Sequence, residues 1–302
     1  MNASSSAGNR PSPLVRAAFA AALLAAACGA PTRGEGAAPG AAERASGASL
    51  FAATADRHWD LHHHLAEISG LAATNDGRLI GHDDESAVIS VLDVETGAVV
   101  RRFSVGDPAV KGDFEGIAVA ASGDIYLVAS DGRLLRFREG GDGATVRFDS
   151  FNTGLSSVCE VEGLAYRRAS DSLILACKTN YAHAMRKTVA LYAWSVRDHE
   201  RTPEPWLAAP AARLAAAAGV HGFHCSSVEI DPTTGRLVLL AARERAMVEL
   251  DPDGAVRAAR QLGPGHPQAE GAAIMPDGAL VISDEAPKGG RAQLTRYPRA
   301  HD

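Results

Sequence analysis

A short motif recurs along this chain of 302 residues. Each copy opens on a small residue, in most copies a Gly that follows a Glu, and continues through an apolar run, a turn and a second apolar run. The clearest copy is FEGIAVAASGDIYLVASD at 114–131. The opening residues are Gly70, Gly116, Gly163, Ser227 and Gly271, at steps of 46, 47, 64 and 44 residues. A period of this size in a chain of short strands is typical of the blades of a β-propeller.

The first two units each contain four runs with strand composition. In the first unit the runs span 68–74, 78–82, 87–93 and 98–105, and turns such as Asn-Asp-Gly at 75–77 separate them. Turns of this kind join antiparallel strands into hairpins. Because one blade consists of four antiparallel strands, the sequence predicts an all-β fold, a β-propeller of four-stranded blades.

The two ends of the repeat determine the number of blades. The fifth unit, which opens at Gly271, stops one strand short, and a run with alternating apolar positions, 57–65, precedes the first unit. We predict that 57–65 is the outermost strand of the fifth blade. Five blades then close into a ring without free sheet edges, which would otherwise invite aggregation. Six blades is the alternative, with 181–205 forming part of a separate blade.

The long step between the third and fourth units contains an insertion. Residues 208–219 have helical composition and end on a Gly, so we expect an inserted helical segment near 203–220. Insertions between blades lie on a face of the propeller and often border a binding site. The segment is therefore either a cap over the central axis or a helix on the outer surface.

The N-terminus has the features of a secretory signal. Arg10 and Arg16 precede an apolar run at 17–27 that ends at Cys28. The sequence Ala-Ala-Ala-Cys-Gly at 25–29 is similar to a bacterial lipobox, which makes Cys28 the candidate for lipidation; ordinary signal cleavage near 27–30 is the alternative. We expect a signal peptide at 1–28, a flexible tether at 29–56, which is rich in Ala, Gly, Pro and Ser, and a single propeller domain at 57–302. The protein is then exported to the cell envelope, either periplasmic or attached to the membrane only through lipidated Cys28.

Three cysteines remain after the signal, at Cys159, Cys177 and Cys225. An oxidising compartment permits one disulfide and leaves one thiol. Cys159 and Cys225 precede the opening strands of neighbouring units, and Cys177 is an almost equally good partner for Cys159.

The charge excludes one class of partner. The formal net charge is −6 at pH 7, and the two signs are mixed along the chain. A nucleic-acid-binding surface would need a basic face. We expect a monomer with a small-molecule or protein ligand and no nucleic acid.

Acidic residues stand immediately before the small residue in most units. Glu115, Glu162 and Glu270 are adjacent to their Gly, and Glu67 lies three positions before Gly70. The first strand of each blade lies nearest the axis, so these residues are expected to converge on the mouth of the central channel. Carboxylates brought together repel one another unless a cation is present. Ca²⁺, which prefers carboxylate and carbonyl oxygens, is the expected cofactor; the alternative is that the glutamates only brace the backbone.

A second polar set follows the second strand of each unit. Because that strand runs antiparallel to the first, its end lies on the same face of the propeller as the Glu residues. The candidate ligand-binding residues in this set are His82, Asp84, Lys178, Arg243, Glu244, Asp284 and Glu285. The set is mostly acidic and contains two cations, which suits a metal ion or an anion bridged by one. The alternative is that they are ordinary solvated turn residues.

Two groups of histidines are weaker candidates. His224 stands beside the opening of the fourth unit and is a candidate catalytic base, with Lys178 and Arg243 as candidates to hold an anion. The tract at 62–64 is three consecutive histidines, but in a strand only alternate residues share a face. We therefore expect the tract to belong to a half-exposed outer strand rather than to a metal site.

The repeats resemble one known family. The segments that carry the resemblance are Glu-Ile-Ser-Gly-Leu at 67–71, Asp-Phe-Glu-Gly-Ile at 113–117, Val-Glu-Gly-Leu-Ala-Tyr at 161–166, Ala-Glu-Gly-Ala at 269–272 and Ser-Ser-Val-Glu-Ile-Asp-Pro-Thr-Thr-Gly-Arg-Leu at 226–237. They are similar to the SdiA-regulated family of exported bacterial propeller proteins, often lipoproteins, which is related in style to NHL-repeat and phytase-like propellers. The resemblance covers roughly 65–298 and implies a propeller with a cation-binding or ligand-binding face. The fourth unit departs from the pattern because Ser226-Ser227 replaces Glu-Gly.

Two functions fit these features. The first is an envelope lipoprotein that binds a ligand or partner on the axial face of the propeller, with a bound cation such as Ca²⁺. The second is a metal-dependent hydrolase, phytase-like or lactonase-like, in which the cation would polarise the substrate and activate water. A propeller hosts both classes, so the sequence leaves open whether the protein is an enzyme.

Overall fold

The structure is a computed structural model, and it describes residues 47–300. The predicted signal peptide, Cys28 and the tether up to residue 46 lie outside the described residues. The described part contains no helix long and apolar enough to cross a membrane.

Five β-sheets form five blades. Blade one consists of β2 (Ile68–Ala73), β3 (Leu79–Asp83), β4 (Val88–Leu92) and β5 (Val99–Val105), with the short β9 (Thr145–Val146) added in parallel to β5. Blade two consists of β6 (Phe114–Val119), β7 (Ile125–Ala129), β8 (Arg133–Phe137) and β10 (Phe148–Asn152). Blade three consists of β11 (Cys159–Arg167), β12 (Ser172–Asn180), β13 (Thr188–Ser195) and β14 (Leu207–Pro210).

The last two blades complete the ring. Blade four consists of β15 (Ser227–Ile230), β16 (Leu237–Ala241), β17 (Ala246–Leu250) and β18 (Val256–Gln261). Blade five consists of β19 (Ala269–Ile274), β20 (Leu280–Asp284), β21 (Gln293–Tyr297) and β1 (Arg57–Asp60). The only α-helix in residues 47–300 is α1 (Ala211–Ala218), and 3₁₀ turns span His63–Leu65, Arg168–Ser170 and His183–Met185. The predicted five-bladed propeller is confirmed.

The ring closes through the strand from the N-terminal side. β1 pairs antiparallel with β21, from Arg57 opposite Arg296 to Asp60 opposite Gln293. The predicted closure is therefore confirmed, although the strand is shorter than the expected 57–65. The chain leaves the sheet after Asp60, and the histidine tract lies in and beside a 3₁₀ turn instead of a strand.

The insertion belongs to blades three and four. β13 and β14 complete blade three, so 181–205 does not form a separate blade. Helix α1 packs against β14, β17 and β18, which are outer strands. It buries Leu214, Ala215 and Ala218 there and ends at Gly219, whose φ is 70°. Of the two interpretations of this segment, the structure supports the peripheral helix rather than a cap over the axis.

The segment at 47–56 is docked on the propeller, although its composition predicts part of a flexible tether. Phe51 is only 2% exposed and packs with Leu240 and Tyr297 between blades four and five. The Leu50 amide donates a 2.9 Å hydrogen bond to Glu249 Oε2, and Gly47 donates one to the Arg257 carbonyl. Leu50, Phe51 and Ala55 of this segment pack into the cluster between blades four and five, although the composition of 29–56 as a whole resembles a linker.

The apolar core lies between the blades. The buried apolar residues form five clusters, one at each junction between neighbouring blades. One disulfide, Cys159–Cys177, joins β11 to β12 within blade three, and Cys225 is a buried free thiol. Of the two pairings that the sequence left open, the one within blade three is formed.

Candidate functional site

The innermost strands β2, β6, β11, β15 and β19 surround the axis, and their small residues permit a close approach. A Cβ placed on Gly116 would lie 2.7 Å from the Leu164 nitrogen of the next strand, and one on Gly271 would lie 2.9 Å from the Leu71 nitrogen. Real Cβ atoms do not approach backbone nitrogens so closely. Glycine at this position therefore lets each innermost strand pack against the backbone of its neighbour.

A β-bulge precedes the glycine in four of the five blades. In blade two, Phe114 pairs with Ala129 and Gly116 pairs with Val128, so Glu115 has no partner in the ladder. The same shift leaves Glu162 unpaired in blade three, Glu270 in blade five and Ser69 in blade one. A bulge re-aims the side chain of its extra residue. Three strands thus use one backbone device to direct a carboxyl group towards the axis.

The bulged glutamates are crowded and poorly hydrated. Burial raises the pKa of Glu115 to about 8, with a further contribution from the negative charges of Glu162 and Asp113. Burial raises the pKa of Glu270 to about 8 as well, and the charges of Glu285 and Glu162 add to this shift. These carboxyl groups therefore act on one another electrostatically.

Lys178 reaches this group from β12. Its Nζ lies 2.7 Å from Glu162 Oε1, and the Glu162 side chain is only 5% exposed. Burial still raises the pKa of Glu162, but Lys178 opposes the shift. Lys178 also acts electrostatically on Glu115 and Glu270. The positively charged side chain of Lys178 therefore lies beside the three carboxyl groups of the bulged glutamates.

Two blades contribute hydroxyl groups instead of carboxyl groups. In blade one, Ser69 occupies the bulge and its Oγ donates a 3.2 Å hydrogen bond to Glu115 Oε2. In blade four, Ser226 Oγ donates to the Ala269 carbonyl at 2.8 Å and accepts from the Ala242 amide at 3.0 Å. The departure of the fourth unit noted in the sequence thus replaces a carboxylate with a bridge between blades four and five.

Glu67 does not occupy the position expected for it. Ser69 takes the bulge of blade one, and Glu67, two residues earlier, is exposed. It acts electrostatically on Glu285, whose pKa is raised to about 7 by burial first and then by the charges of Asp84 and Glu67. Glu67 therefore belongs to an outer tier of the mouth. This tier consists of the residue that stands two positions before the bulge residue in four blades and two positions before Ser226 in blade four. Its members are Glu67, Asp113, Glu160, His224 and Gln268.

Sequence reasoning missed most of this outer tier. Asp113 acts on Glu115, and Glu160 acts on Glu162 and Lys178. Gln268 donates a hydrogen bond to Glu285. The available signal was the period of two residues, because positions two apart on a strand share a face.

Three other predicted residues, Asp84, Arg243 and Glu244, follow the second strands of their blades. Burial raises the pKa of Asp84, and its Oδ1 is buried without a hydrogen-bond partner among the described residues. Glu244 holds His224 by two bonds: the His224 amide donates to Oε2 at 3.0 Å, and Nδ1 lies 2.7 Å from Oε1. Arg243 is 77% exposed beside Glu244.

Two predicted ligand-binding residues are part of the core instead. His82 is fully buried, burial lowers its pKa to about 4, and its Nδ1 lies 2.8 Å from the Asp83 carbonyl oxygen. Asp284 is also fully buried; it lies 2.7 Å from His266 Nδ1 and accepts a hydrogen bond from the Gln268 amide. Both lie within the last residues of their strands, and both side chains are inaccessible to solvent.

Within the described residues, Glu115, Glu162 and Glu270 do not form a group whose ligand atoms all lie close enough to hold one metal ion. Within residues 47–300, the group of three metal-ligating side chains whose ligand atoms all lie within 4.8 Å of one another is His62, His63 and His64. At the opposite mouth, the other ends of the innermost strands line a cavity of about 240 Å³ that contains Glu229. Burial raises the pKa of Glu229 to about 8.

The fold and this mouth define a five-bladed β-propeller with an acidic axial site. The model of the SdiA-regulated family matches residues 144–288, which confirms over that stretch the resemblance drawn from the repeats. No curated protein matches the sequence.

Solved structures share the propeller fold. Glutaminyl cyclase from Myxococcus xanthus is 13% identical, with a TM-score of 0.55 over 82% of this chain and 97% of that protein. The PQQ-bound aldose sugar dehydrogenase from Streptomyces coelicolor is 12% identical, with a TM-score of 0.51 over 81% of this chain and 97% of that protein. Both similar structures are enzymes, and at these identities the similarity is one of fold.

Proposed function

We propose that this protein is an exported propeller that binds an anionic ligand at its axial mouth through a cation such as Ca²⁺. The observation that carries the proposal is the repeated bulge, because blades two, three and five each use it to direct a carboxyl group, Glu115, Glu162 or Glu270, towards the same channel. Crowding carboxyl groups at a poorly hydrated site is unfavourable in the absence of a cation. Three blades would not each need this arrangement for bracing alone.

The donor set fits a hard cation. Ca²⁺ takes six to eight oxygen ligands and accepts carboxylates, hydroxyls and water in flexible geometry. Glu115, Glu270 and the Ser69 hydroxyl would supply oxygens, and Asp84, whose buried Oδ1 has no hydrogen-bond partner among the described residues, would supply another. Because Glu115, Glu162 and Glu270 do not by themselves form a group of ligand atoms close enough for one ion, water or a ligand would complete the coordination.

The positive groups at the mouth indicate an anionic ligand. Lys178 lies among the carboxyl groups, and Arg243 is exposed beside Glu244, which holds His224. A carboxylate or phosphate group could bridge the bound cation and one of these side chains. The ligand is then a small anionic molecule or an acidic segment of a protein partner.

A second candidate function is hydrolysis at the same mouth, and the His224–Glu244 pair favours it. Glu244 holds His224 through Nδ1, which leaves Nε2 as the free nitrogen of the ring, and the His224 side chain is 44% exposed. A histidine oriented by a carboxylate is suited to act as a general base. In this case the cation would activate water, and Lys178 or Arg243 would hold an anionic substrate.

Export and lipid attachment at Cys28 are part of the proposal and depend on the N-terminal sequence pattern alone. They place the domain in a compartment where Ca²⁺ is available and the Cys159–Cys177 disulfide is stable. The domain is proposed to act as a monomer.

Thermal unfolding of the purified protein, first in EDTA and then with millimolar Ca²⁺, tests the cation. A ligand that binds only the folded state stabilises it by about 2.7 kcal/mol at a concentration a hundredfold above its Kd. We expect a rise of several degrees that is lost in Glu115→Gln and retained in Glu204→Gln, an exposed control. An equal response in the two variants would contradict the proposal.

Turnover separates the two functions. Aryl phosphoesters and lactones are offered with Ca²⁺ to the wild type and to His224→Asn. The binding function predicts no turnover in either protein, whereas the hydrolase predicts turnover that His224→Asn reduces by about a hundredfold or more.

A further inference from the structure

The three histidines at 62–64 lie on a firmly held turn. Leu61 and Leu65, on either side of them, are 2% and 1% exposed and pack into the core between blades five and one. The Leu61 amide donates to the Ala292 carbonyl, and the Ala286 amide donates to the Ala66 carbonyl. The tract is therefore fixed at both ends by side-chain burial and by backbone hydrogen bonds.

The turn brings the three imidazoles together. The centroids of the His62 and His63 rings are 4.1 Å apart, those of His62 and His64 are 4.5 Å apart, and those of His63 and His64 are 4.2 Å apart. One ligand nitrogen from each ring lies within 4.8 Å of the others. In a regular strand the middle ring would point to the opposite face, and this was the reason for expecting no metal site. The 3₁₀ turn removes that objection.

We propose that His62, His63 and His64 bind one late first-row transition-metal ion, such as Zn²⁺ or Cu²⁺. Neutral imidazole nitrogens are preferred ligands of these ions. Three protein nitrogens leave at least one coordination position for water or for a ligand from outside.

Only small movements are needed for this binding. With metal–nitrogen bonds of about 2.0–2.1 Å, tetrahedral ligand atoms lie roughly 3.4 Å apart. The ligand nitrogens, which now lie within 4.8 Å of one another, must therefore approach by at most about 1.4 Å. All three side chains are exposed and can rotate without disturbing the core. The His64 amide donates to His62 Nδ1 over 3.4 Å, a long hydrogen bond whose loss costs little.

The site differs from the axial mouth in its chemistry. It offers nitrogen ligands to a borderline-soft ion, whereas the mouth offers oxygens to a hard one. Arg102 is close enough to act electrostatically on His64, and it opposes a cation there. We therefore expect a moderate affinity, with a Kd on the order of micromolar. The proposal does not depend on the function assigned to the axial mouth.

Metal titration of the full chain, purified without a polyhistidine tag, tests the site. Zn²⁺ binding is measured by calorimetry with excess Ca²⁺ present to occupy any oxygen site. Cu²⁺ binding is followed by electron paramagnetic resonance, which counts the coordinating nitrogens. His183→Asn is the matched control, because His183 is also exposed and also begins a 3₁₀ turn.

We expect one equivalent of Zn²⁺ in the wild type and in His183→Asn, and a copper spectrum with three nitrogens. Each of His62→Asn, His63→Asn and His64→Asn is expected to weaken Zn²⁺ binding by about tenfold or more. The proposal is overturned if the triple variant binds Zn²⁺ as the wild type does, or if the copper spectrum shows a single nitrogen. Because all three positions are exposed, the variants are expected to fold, and unchanged thermal unfolding without metal verifies this.

Discussion

At the scale of single residues, the glycine in the Glu-Gly repeat has a steric role that differs from the role of the glutamate. Gly116 and Gly271 allow neighbouring innermost strands to meet backbone to backbone, while Gly70 and Gly271 also leave room for the side chains of His82 and Ser283. The glutamate has no partner in the ladder and faces the channel. The repeat therefore combines one residue required for folding with one that is available for binding.

Gly116→Ala is predicted to destabilise the protein by about 1–3 kcal/mol, because the new Cβ would lie 2.7 Å from the Leu164 nitrogen. Gly141→Ala is the control, since an added Cβ there meets nothing within 4 Å. The control is expected to be neutral or to stabilise by about 0.4–1 kcal/mol. Chemical denaturation measures both, and equal effects would contradict the steric account.

Lys178→Met is predicted to have two opposite effects. Without Ca²⁺ it leaves Glu162 buried without its partner and lowers the free energy of unfolding by about 1–3 kcal/mol. With Ca²⁺ the substitution removes a positive charge that repels the bound cation beside the bulged glutamates. The gain in melting temperature on adding Ca²⁺ is therefore expected to be larger than in the wild type. The control is Lys187→Met, an exposed lysine. A smaller Ca²⁺-induced rise in melting temperature in Lys178→Met would show that no cation binds beside Lys178 and the bulged glutamates.

At the scale of structural elements, the bulge explains why the sequence predicted some of the site and missed the rest. The residue adjacent to each glycine could be identified from the repeat, and in three blades that residue, Glu115, Glu162 or Glu270, occupies the bulge. Glu67 was predicted as the carboxylate of blade one because Ser69 stands next to Gly70 in that unit. The bulge nevertheless forms at the residue next to the glycine, whether or not that residue is charged, and so it contains Ser69. His82 and Asp284 are buried, because each of their strands ends one residue later than the apolar pattern indicated.

The disulfide connects two elements of the site, since Cys159 begins the strand that carries Glu162 and Cys177 immediately precedes Lys178. Replacing both cysteines with alanine is predicted to lower the free energy of unfolding by about 2–4 kcal/mol. Cys225→Ala removes the buried free thiol and retains the disulfide, so it serves as the control. Denaturant midpoints compare the three proteins. A double variant as stable as the control would indicate that the disulfide does not constrain this blade.

At the scale of the whole molecule, the blade count and the ring closure could be predicted because they follow from the period and from one missing strand. The docking of 47–56 could not, since its composition resembles a linker and its contacts are with distant residues such as Glu249 and Tyr297. Contacts of this kind depend on the assembled ring and leave no periodic signal. The same holds for the histidine turn, whose shape is set by the buried Leu61 and Leu65.

Phe51→Ala is predicted to lower the free energy of unfolding by about 3 kcal/mol, because the ring is buried between blades four and five. Phe148, which is 37% exposed, provides the control, and Phe148→Ala is expected to change stability by about 0.5 kcal/mol. Thermal and chemical unfolding give the comparison. Equal small effects would mean that 47–56 adds nothing to the fold.

The raised pKa values couple the axial site to pH. Glu115 and Glu270 have folded pKa values of about 8 against an ordinary value of 4.5, so the folded state binds more protons than the unfolded state between these values. Their contribution to stability is complete below pH 4.5 and is lost as the pH rises to about 8. A bound cation reverses this trend because it requires the ionised carboxylates. Ca²⁺ binding should therefore release protons below pH 8 and become tighter as the pH rises.

Calorimetric titration of Ca²⁺ into the metal-free protein tests the central claim most directly. Repeating it at pH 6 and pH 8.5, in buffers with different heats of ionisation, gives the affinity and the number of protons released. We predict tighter binding at the higher pH and proton release at the lower pH, with both effects absent in the Glu115→Gln/Glu270→Gln double variant. Absence of Ca²⁺ binding at both pH values, or binding that the double variant retains unchanged, would contradict the assignment of the axial mouth as a cation site.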